Sequence, residues 1–268
     1  MREDVATQRP QLLAALEEAI GAGAFERAEH ETACAQPAIF CASLASYDRW
    51  HKETGRRPDL LAGHSLGEFA ALVVAGVLDA FAALALVVER GRAMQQACEV
   101  TPGGMLALIG TGARDAAAAA VDFGVSIAND NAPEQLVVAG ALPALTVFQA
   151  ASEKPGVTTR WLPVAGAFHS PLMRPAVDRF HRALAKVPLS EPTIPVYSAM
   201  SVRPFVDVRK QLEQALMAPV RWRETVLALR DAGAEDFVEP GPGRVLGGLI
   251  KRSLRTRPRA RVGALASG

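Results

Sequence analysis

Little in this 268-residue chain could serve as a covalent or metal scaffold. Its three cysteines, Cys34, Cys41 and Cys98, are an odd and sparse set without metal-ligand spacing, which argues against a disulfide framework and fits a reducing compartment. No apolar run reaches the length of a membrane span, and Met1 to Pro10 is polar with no signal-peptide core. A cytoplasmic protein that enters no membrane is the expectation. Charge of one sign is missing as well: 29 basic residues against 28 acidic ones leave a formal net charge of +1, so no overall field gathers nucleic acid or an anionic surface. No internal repeat is present, and Ala116 to Ala120 is alanine-rich helix rather than low complexity. What the chain has in quantity is apolar material, 50% of its residues, enough for a large core in one domain or one domain with an insertion.

The stretch that organises the rest is Leu60-Leu61-Ala62-Gly63-His64-Ser65-Leu66-Gly67-Glu68. An apolar run, expected to be a strand over Asp59 to Gly63 buried on both faces, meets a Gly-x-Ser-x-Gly, and a helix-like sequence, Glu68 to Val77, follows. In that context the motif signals a nucleophile elbow, a sharp turn that lifts the serine hydroxyl clear of the strand end. Glycines on either side leave room for neighbouring chain and for an incoming carbonyl. The amino terminus of the following helix offers N–H groups to an oxyanion.

Taken in order, Pro10 opens a helix with Leu12, Leu13, Leu16 and Ile20 at helical spacing, and a second helix is expected from Pro37 to Gly55. Asp79 caps a long helix carrying Leu84, Leu86, Val87, Arg90 and Met94. From residue 103 to 166 the texture changes to strand, helix, strand, strand, helix, strand, a βαββαβ order that predicts a small ferredoxin-like unit interrupting a larger domain made of residues 1–102 and 167–268. The predicted class is α/β, a hydrolase-like parallel-sheet domain with that insertion and a cleft between the two parts. Past Ser170, expected to cap a helix to about Ala185, strands are expected at Pro195 to Met200 and Asp236 to Glu239. Helices are expected at Val208 to Met217, Val220 to Ala232 and Val245 to Leu254. The end of the chain is basic, with Lys251, Arg252, Arg255, Arg257, Arg259 and Arg261 close together, which suits a solvated tail.

A serine hydroxyl at neutral pH needs a general base. Of the five histidines, His30, His51 and His181 lie in polar surroundings. His64 adjoins Ser65 and points to the opposite face, so it supports the turn. His169, after the loop Gly166-Ala167-Phe168 at a strand end, is the candidate base. No acid is placed to orient it, since Asp178 belongs on an exposed face; a backbone carbonyl can hold the imidazole instead. Arg90 falls among apolar neighbours in its helix, so its side chain leads inward. There it meets either an internal carboxylate or a carboxylate on the substrate.

These residues resemble the malonyl-CoA:acyl carrier protein transacylases and the related acyltransferase domains of fatty acid and polyketide synthases. The resemblance runs through Gln36-Pro37-Ala38-Ile39, Gly63 to Phe69, Arg90-Gly91-Arg92-Ala93-Met94-Gln95, Gly104-Met105-Leu106-Ala107, Ala128 to Gln135, Phe168-His169-Ser170, Pro219-Val220-Arg221-Trp222 and Glu239-Pro240-Gly241-Pro242-Gly243. It implies a ping-pong reaction in which Ser65 attacks malonyl-CoA with His169 as base and an acyl carrier protein's phosphopantetheine thiol then takes the malonyl group. No cofactor and no metal are implied, and a monomer is the family-like expectation. Arg90 matches the residue that binds the malonyl carboxylate, Leu66 supplies one oxyanion N–H, and Phe168 matches the malonyl-selecting form of its motif. Gln36 and His64 lie near the site, and Asn129 or Asn131 approach it from the small unit or cap a loop there.

Two departures accompany the resemblance. Relatives open with a strand running into Gly-Gln-Gly-Ser-Gln, whose glutamine amide is the other oxyanion donor; the sequence contains no such motif, which suggests a truncated start and a sheet edge left open. Where relatives carry a glutamine four residues before Pro-Val-x-Trp, this chain has Ala215. That is tolerable if the histidine is held through a backbone carbonyl.

Overall fold

Apolar residues at helical spacing dictate how the chain begins. In the structure, a computed structural model that describes residues 1–255, α1 (Arg2–Gln8) and α2 (Pro10–Ile20) are followed by the single turn α3 (Ala24–Arg27) and the long α4 (Thr32–Thr54). Pro10 takes the first helical position, where its missing N–H costs nothing, and Leu12, Leu13 and Leu16 are buried. Helix α4 starts before Pro37 rather than at it. Gly55, in the left-handed conformation, stops it as expected.

The strand before the elbow is shorter and more open than its apolar sequence predicts. Only Leu61–Ala62 forms β1, half-buried rather than covered on both faces, because it pairs on one side alone, in parallel with β6 (Val196–Ser198). The Leu61 N–H bonds the Pro195 carbonyl. In a parallel ladder the flanking amides then point to the opposite edge, and that edge faces a cavity of about 1080 Å³. Across this cavity lie residues 236–239, which form no strand. An apolar run becomes a strand only where a neighbour completes its hydrogen bonds, and 236–239 has no such neighbour among the described residues.

Beyond the elbow, α5 (Gly67–Val74) and α6 (Ala80–Val100) carry the core inward. Asp79 caps α6 by accepting the Phe81 and Ala82 amides on Oδ1. Phe40, Phe69, Leu72, Leu86, Met94 and Phe180 are all buried in this main cluster. Each buried side chain of this size contributes roughly 1.5–3 kcal/mol.

The stretch from residue 103 onward follows the predicted order: β2 (Gly103–Ile109), α7 (Ala113–Ala118) with a short 3-10 extension over Ala119–Phe123, β3 (Ser126–Ala132), β4 (Gln135–Ala141), α8 (Leu142–Ser152) and β5 (Thr158–Trp161). The strands form one antiparallel sheet in the order β3-β4-β2-β5. Its own core is made of Leu106, Leu108, Val138, Leu145 and Phe148. Asn129 and Asn131 do not cap a loop. They lie in β3, beside irregularities in its pairing with β4.

After Ser170 caps a 3-10 turn over Pro171–Met173 come α9 (Arg174–Leu184), β6, β7 (Arg203–Pro204), α10 (Val208–Gln214), α11 (Trp222–Asp231) and α12 (Val245–Arg255). Lys251, Arg252 and Arg255 lie on α12, whereas Arg257, Arg259 and Arg261 fall outside the described residues. The second sheet, β1-β6-β7, is linked to the first through residues 220 and 221: the Arg221 amide bonds the Ala199 carbonyl, just past β6, at 2.7 Å. The Asp130 amide bonds the Val220 carbonyl at 2.9 Å and the Val220 amide bonds the Ala128 carbonyl at 2.8 Å. Asp130 adds ion pairs to Arg114 at 2.7 Å and to Arg223 at 3.0 Å.

Candidate active site

The elbow is built by a close approach. A Cβ on Gly63 would lie 2.0 Å from the Glu68 amide nitrogen, whereas one on Gly67 would meet nothing within 4 Å. Glycine at 63 therefore lets α5 fold back onto β1, and glycine at 67 leaves open space at the large cavity beside β1. Ser65 is held in the left-handed region at φ 52°, and so is His169 at φ 58°. A non-glycine residue there carries backbone strain that the surrounding structure must hold in place.

The structure brings Ser65, His169 and Arg90 together. Ser65 Oγ lies 2.8 Å from His169 Nε2 and accepts from Arg90 Nη2 at 3.0 Å. His169 Nδ1 faces the Ala215 carbonyl at 2.9 Å and the Ala218 carbonyl at 3.2 Å. Carbonyls only accept, so the proton is on Nδ1 and the Nε2 lone pair points at the serine hydroxyl. Burial, and the nearby Arg90 charge after it, lower the imidazole pKa to about 3, against smaller upward contributions from the two carbonyls. It stands neutral and ready to accept a proton.

Arg90 is 5% exposed and has no carboxylate partner within ion-pair distance among the described residues. Its Nη1 donates to Gln36 Oε1 at 2.5 Å, and its guanidinium carbon stands 5.8 Å from the centre of the Phe69 ring. Burial lowers its pKa to about 10 while the Glu68 charge opposes that fall. A buried cation held by neutral groups leaves a full charge for an anion.

Ser65 stands between two cavities. One, of about 230 Å³, is lined by Gln36, Leu66, Arg90, Met94, Phe168 and His169. The other is the large cavity beside β1, which also reaches Ser65, His64, Asn129, Asn131 and Trp222. The Leu66 amide makes no hydrogen bond among the described residues and sits at the head of α5, the position for an oxyanion donor.

His64 does not approach the serine proton. Its Nε2 lies 2.9 Å from Asn131 Oδ1 and 3.3 Å from Asn129 Nδ2, and burial lowers its pKa. Asn129 Oδ1 and Trp222 Nε1 are buried without partners among the described residues, one acceptor and one donor on residues that border the large cavity. Of the other histidines, His181 pairs with Glu213 at 2.6 Å on the surface, and Asp178 is exposed. The cysteines are free and buried. No group of residues suited to a metal ion occurs among the described residues, and no helix among them is long and apolar enough to cross a membrane.

Sequence reasoning missed Glu68, Asn131 as the partner of His64, and the Trp222 indole. Glu68 is 2% exposed and accepts the Ala199 amide on Oε1 at 2.8 Å. Its only signal was a charge beside Gly67 at the start of an otherwise apolar helix.

A family profile described as an acyl transferase domain matches residues 10–266. The malonyl CoA-acyl carrier protein transacylase of Salmonella typhimurium is 40% identical over 82% of this chain and 74% of its own length. The crystal structure of the corresponding transacylase from Burkholderia pseudomallei superposes with a TM-score of 0.86 at 33% identity, covering 95% of this chain and 92% of that one. A type II polyketide malonyl-transacylase solved in complex with its acyl carrier protein gives 0.86 at 35% identity, covering 96% and 89%. A serine elbow, a neutral imidazole and an unpaired buried guanidinium thus occur in a chain that matches these proteins over most of its length, and the chain belongs to the acyl transferase family that includes the malonyl CoA-acyl carrier protein transacylases.

Proposed function

We propose that this chain transfers a malonyl group from malonyl-CoA to the phosphopantetheine thiol of an acyl carrier protein. The observation that carries the reading is Arg90. Its guanidinium reaches Ser65 Oγ at 3.0 Å with only neutral hydrogen-bond partners, so an acyl group ending in a carboxylate meets an unpaired charge at the right distance. A simple thioester hydrolase has no use for that charge.

In this reading Ser65 gives its proton to His169 Nε2 as Oγ attacks the thioester carbonyl. The Leu66 amide donates to the oxyanion, and the imidazolium returns the proton to the departing CoA sulfur. The carrier's thiol then reverses the sequence with His169 as base once more. The carboxylate also acts on the base: burial is the main cause of the low His169 pKa, and pairing with Arg90 offsets the charge that lowers it further. The correct acyl group therefore strengthens the base that acts on it, which favours the transition state and not binding alone. Phe168 and Gln36 border the acyl group, and the unpartnered Asn129 and Trp222 atoms suit the amides of a pantetheine arm in the larger cavity.

The wider reading follows the same line. Residues 1–102 and 167–268 are a hydrolase-like α/β domain, and 103–166 are a ferredoxin-like insertion, supported by the β3-β4-β2-β5 order with two helices. The enzyme works as a cytoplasmic monomer, needs no cofactor and binds no nucleic acid. The test is intact-protein mass after brief mixing with malonyl-CoA. Wild type gains a malonyl group and Ser65→Ala does not; an adduct that survives in Ser65→Ala places the nucleophile elsewhere.

A further inference from the structure

The segment that carries His169 shows how its strained backbone is held. At φ 58° the residue is left-handed, a conformation that a non-glycine residue keeps where its surroundings over-determine it. Ahead of it, Gly166 lies so close to the end of α6 that a Cβ there would sit 2.3 Å from Cys98 Sγ. Behind it, Pro171 biases Ser170 toward extended backbone, φ −133° and ψ 169°, before the 3-10 turn begins. The Phe168 amide bonds the Gly166 carbonyl and the Met173 amide bonds the Ser170 carbonyl, both at 3.1 Å, but neither bond spans residue 169. The Ser170 hydroxyl does: it donates to the Ala167 carbonyl at 2.6 Å and accepts the Leu172 amide at 3.2 Å. Ser170 and Ala167 are each 1% exposed, so water does not compete for the bridge. Both ends of it pack on Gly103 of β2, where a Cβ would lie 2.9 Å from Ala167 Cβ and 3.2 Å from Leu172 Cδ1.

We propose that Ser170 is a positioning residue for the base: its hydroxyl, bridging Ala167 and Leu172, holds His169 in the left-handed turn that sets Nε2 2.8 Å from Ser65 Oγ. The inference rests on the reading of His169 as the base of Ser65. A cap for the 3-10 turn needs only a lone pair to accept the Leu172 amide. The proton of the same hydroxyl runs the other way, across His169 to Ala167, and capping gives no reason for that. The Ala215 and Ala218 carbonyls fix the ring through Nδ1, yet a ring held at one edge swings if its own backbone relaxes to negative φ. The bridge removes that freedom, so Nε2 keeps its aim at the serine through both halves of the transfer.

The experiment times the acylation of Ser65 by malonyl-CoA in a single turnover, read by intact mass, in wild type, Ser170→Ala and His169→Ala. Asp79→Ala, which removes the cap of α6, serves as the control for cap loss alone. At saturating malonyl-CoA, Ser170→Ala should be slower by roughly ten- to a hundredfold, with half-saturation changed by less than about twofold. Asp79→Ala should melt a few degrees lower and acylate at the wild-type rate. The His169 Nδ1 proton, identified in the proton NMR spectrum by its absence from His169→Ala, should shift or vanish in Ser170→Ala and stay in place in Asp79→Ala. A folded Ser170→Ala that acylates at the wild-type rate, or keeps that resonance unmoved, would overturn the proposal and leave Ser170 a cap. Should Ser170→Ala not fold, Ser170→Thr and Ser170→Val take its place, alike in shape and different in the hydroxyl; equal rates in the two would overturn it. His169→Ala acylating as fast as wild type removes the reading of the base instead. Wild type that forms no malonyl-enzyme removes the malonyl reading alone, and the same comparison is then made on the modification of Ser65 by phenylmethylsulfonyl fluoride.

Discussion

In the proposed reaction, Arg90 is the residue on which acyl choice turns. Replacing it by alanine removes the partner of a buried carboxylate, so malonyl transfer should fall on the order of a hundredfold or more in kcat/KM, and acetyl transfer by less than about tenfold. Equal losses, measured with both CoA thioesters, would take Arg90 out of the acyl pocket. That Ser65, His169 and Arg90 would meet was legible in the sequence, because each stood in a local pattern: a Gly-x-Ser-x-Gly turn, a histidine at a strand end, a cation on an apolar helix face. The sequence left open what Arg90 meets, and the structure fills that place with Gln36 and Ser65. Glu68 and the His64–Asn131 pair were not legible. Their meaning arises from segments distant in the chain, Ala199 just past β6 for Glu68 and β3 for His64, and no local pattern records such a meeting.

At the scale of elements, the elbow depends on one glycine more than the other. Gly63→Ala should cost several kcal/mol in thermal or urea unfolding, since its Cβ would sit 2.0 Å from both the Glu68 amide nitrogen and the Gly67 carbonyl carbon. Gly67→Ala should change stability by less than about 1 kcal/mol while slowing acylation, because its space opens toward the substrate. The four-stranded unit was readable from alternating pattern and turn residues, which act locally. The strand expected at 236–239 was not realised, since a strand needs a hydrogen-bonding neighbour and sequence pattern cannot supply one. Asp130 clasps β3 to the segment from Val220 to Arg223. Asp130→Ala strands Arg114 and Arg223 and loosens β3 from Val220, just beyond the carbonyls that hold His169. It should lower kcat more than it raises KM, and stability should fall by about 2–4 kcal/mol.

For the whole molecule, two buried histidines and one buried acid set opposing responses to acid. His64 and His169 have folded pKa values below the ordinary 6.5, so the unfolded chain binds their protons first, and stability is lost as pH falls below about 6.5. Glu68 is raised from 4.5 to about 7, so the folded state takes its proton first, and stability is gained as pH falls from 7 toward 4.5. Two groups outweigh one. Urea midpoints should therefore drop between pH 6.5 and 4.5, and drop more steeply in Glu68→Gln, which lacks the opposing group; parallel curves would refute this assignment. The arrangement of two cavities about a single serine has a consequence for direction. In the proposed reaction the acyl group stays in the smaller chamber while thiols come and go through the larger, and the departing and arriving thiols meet the same atoms. Loading and unloading are one passage travelled both ways, and the relative abundance of the two thiols decides which way it runs. The protein is a valve without a spring.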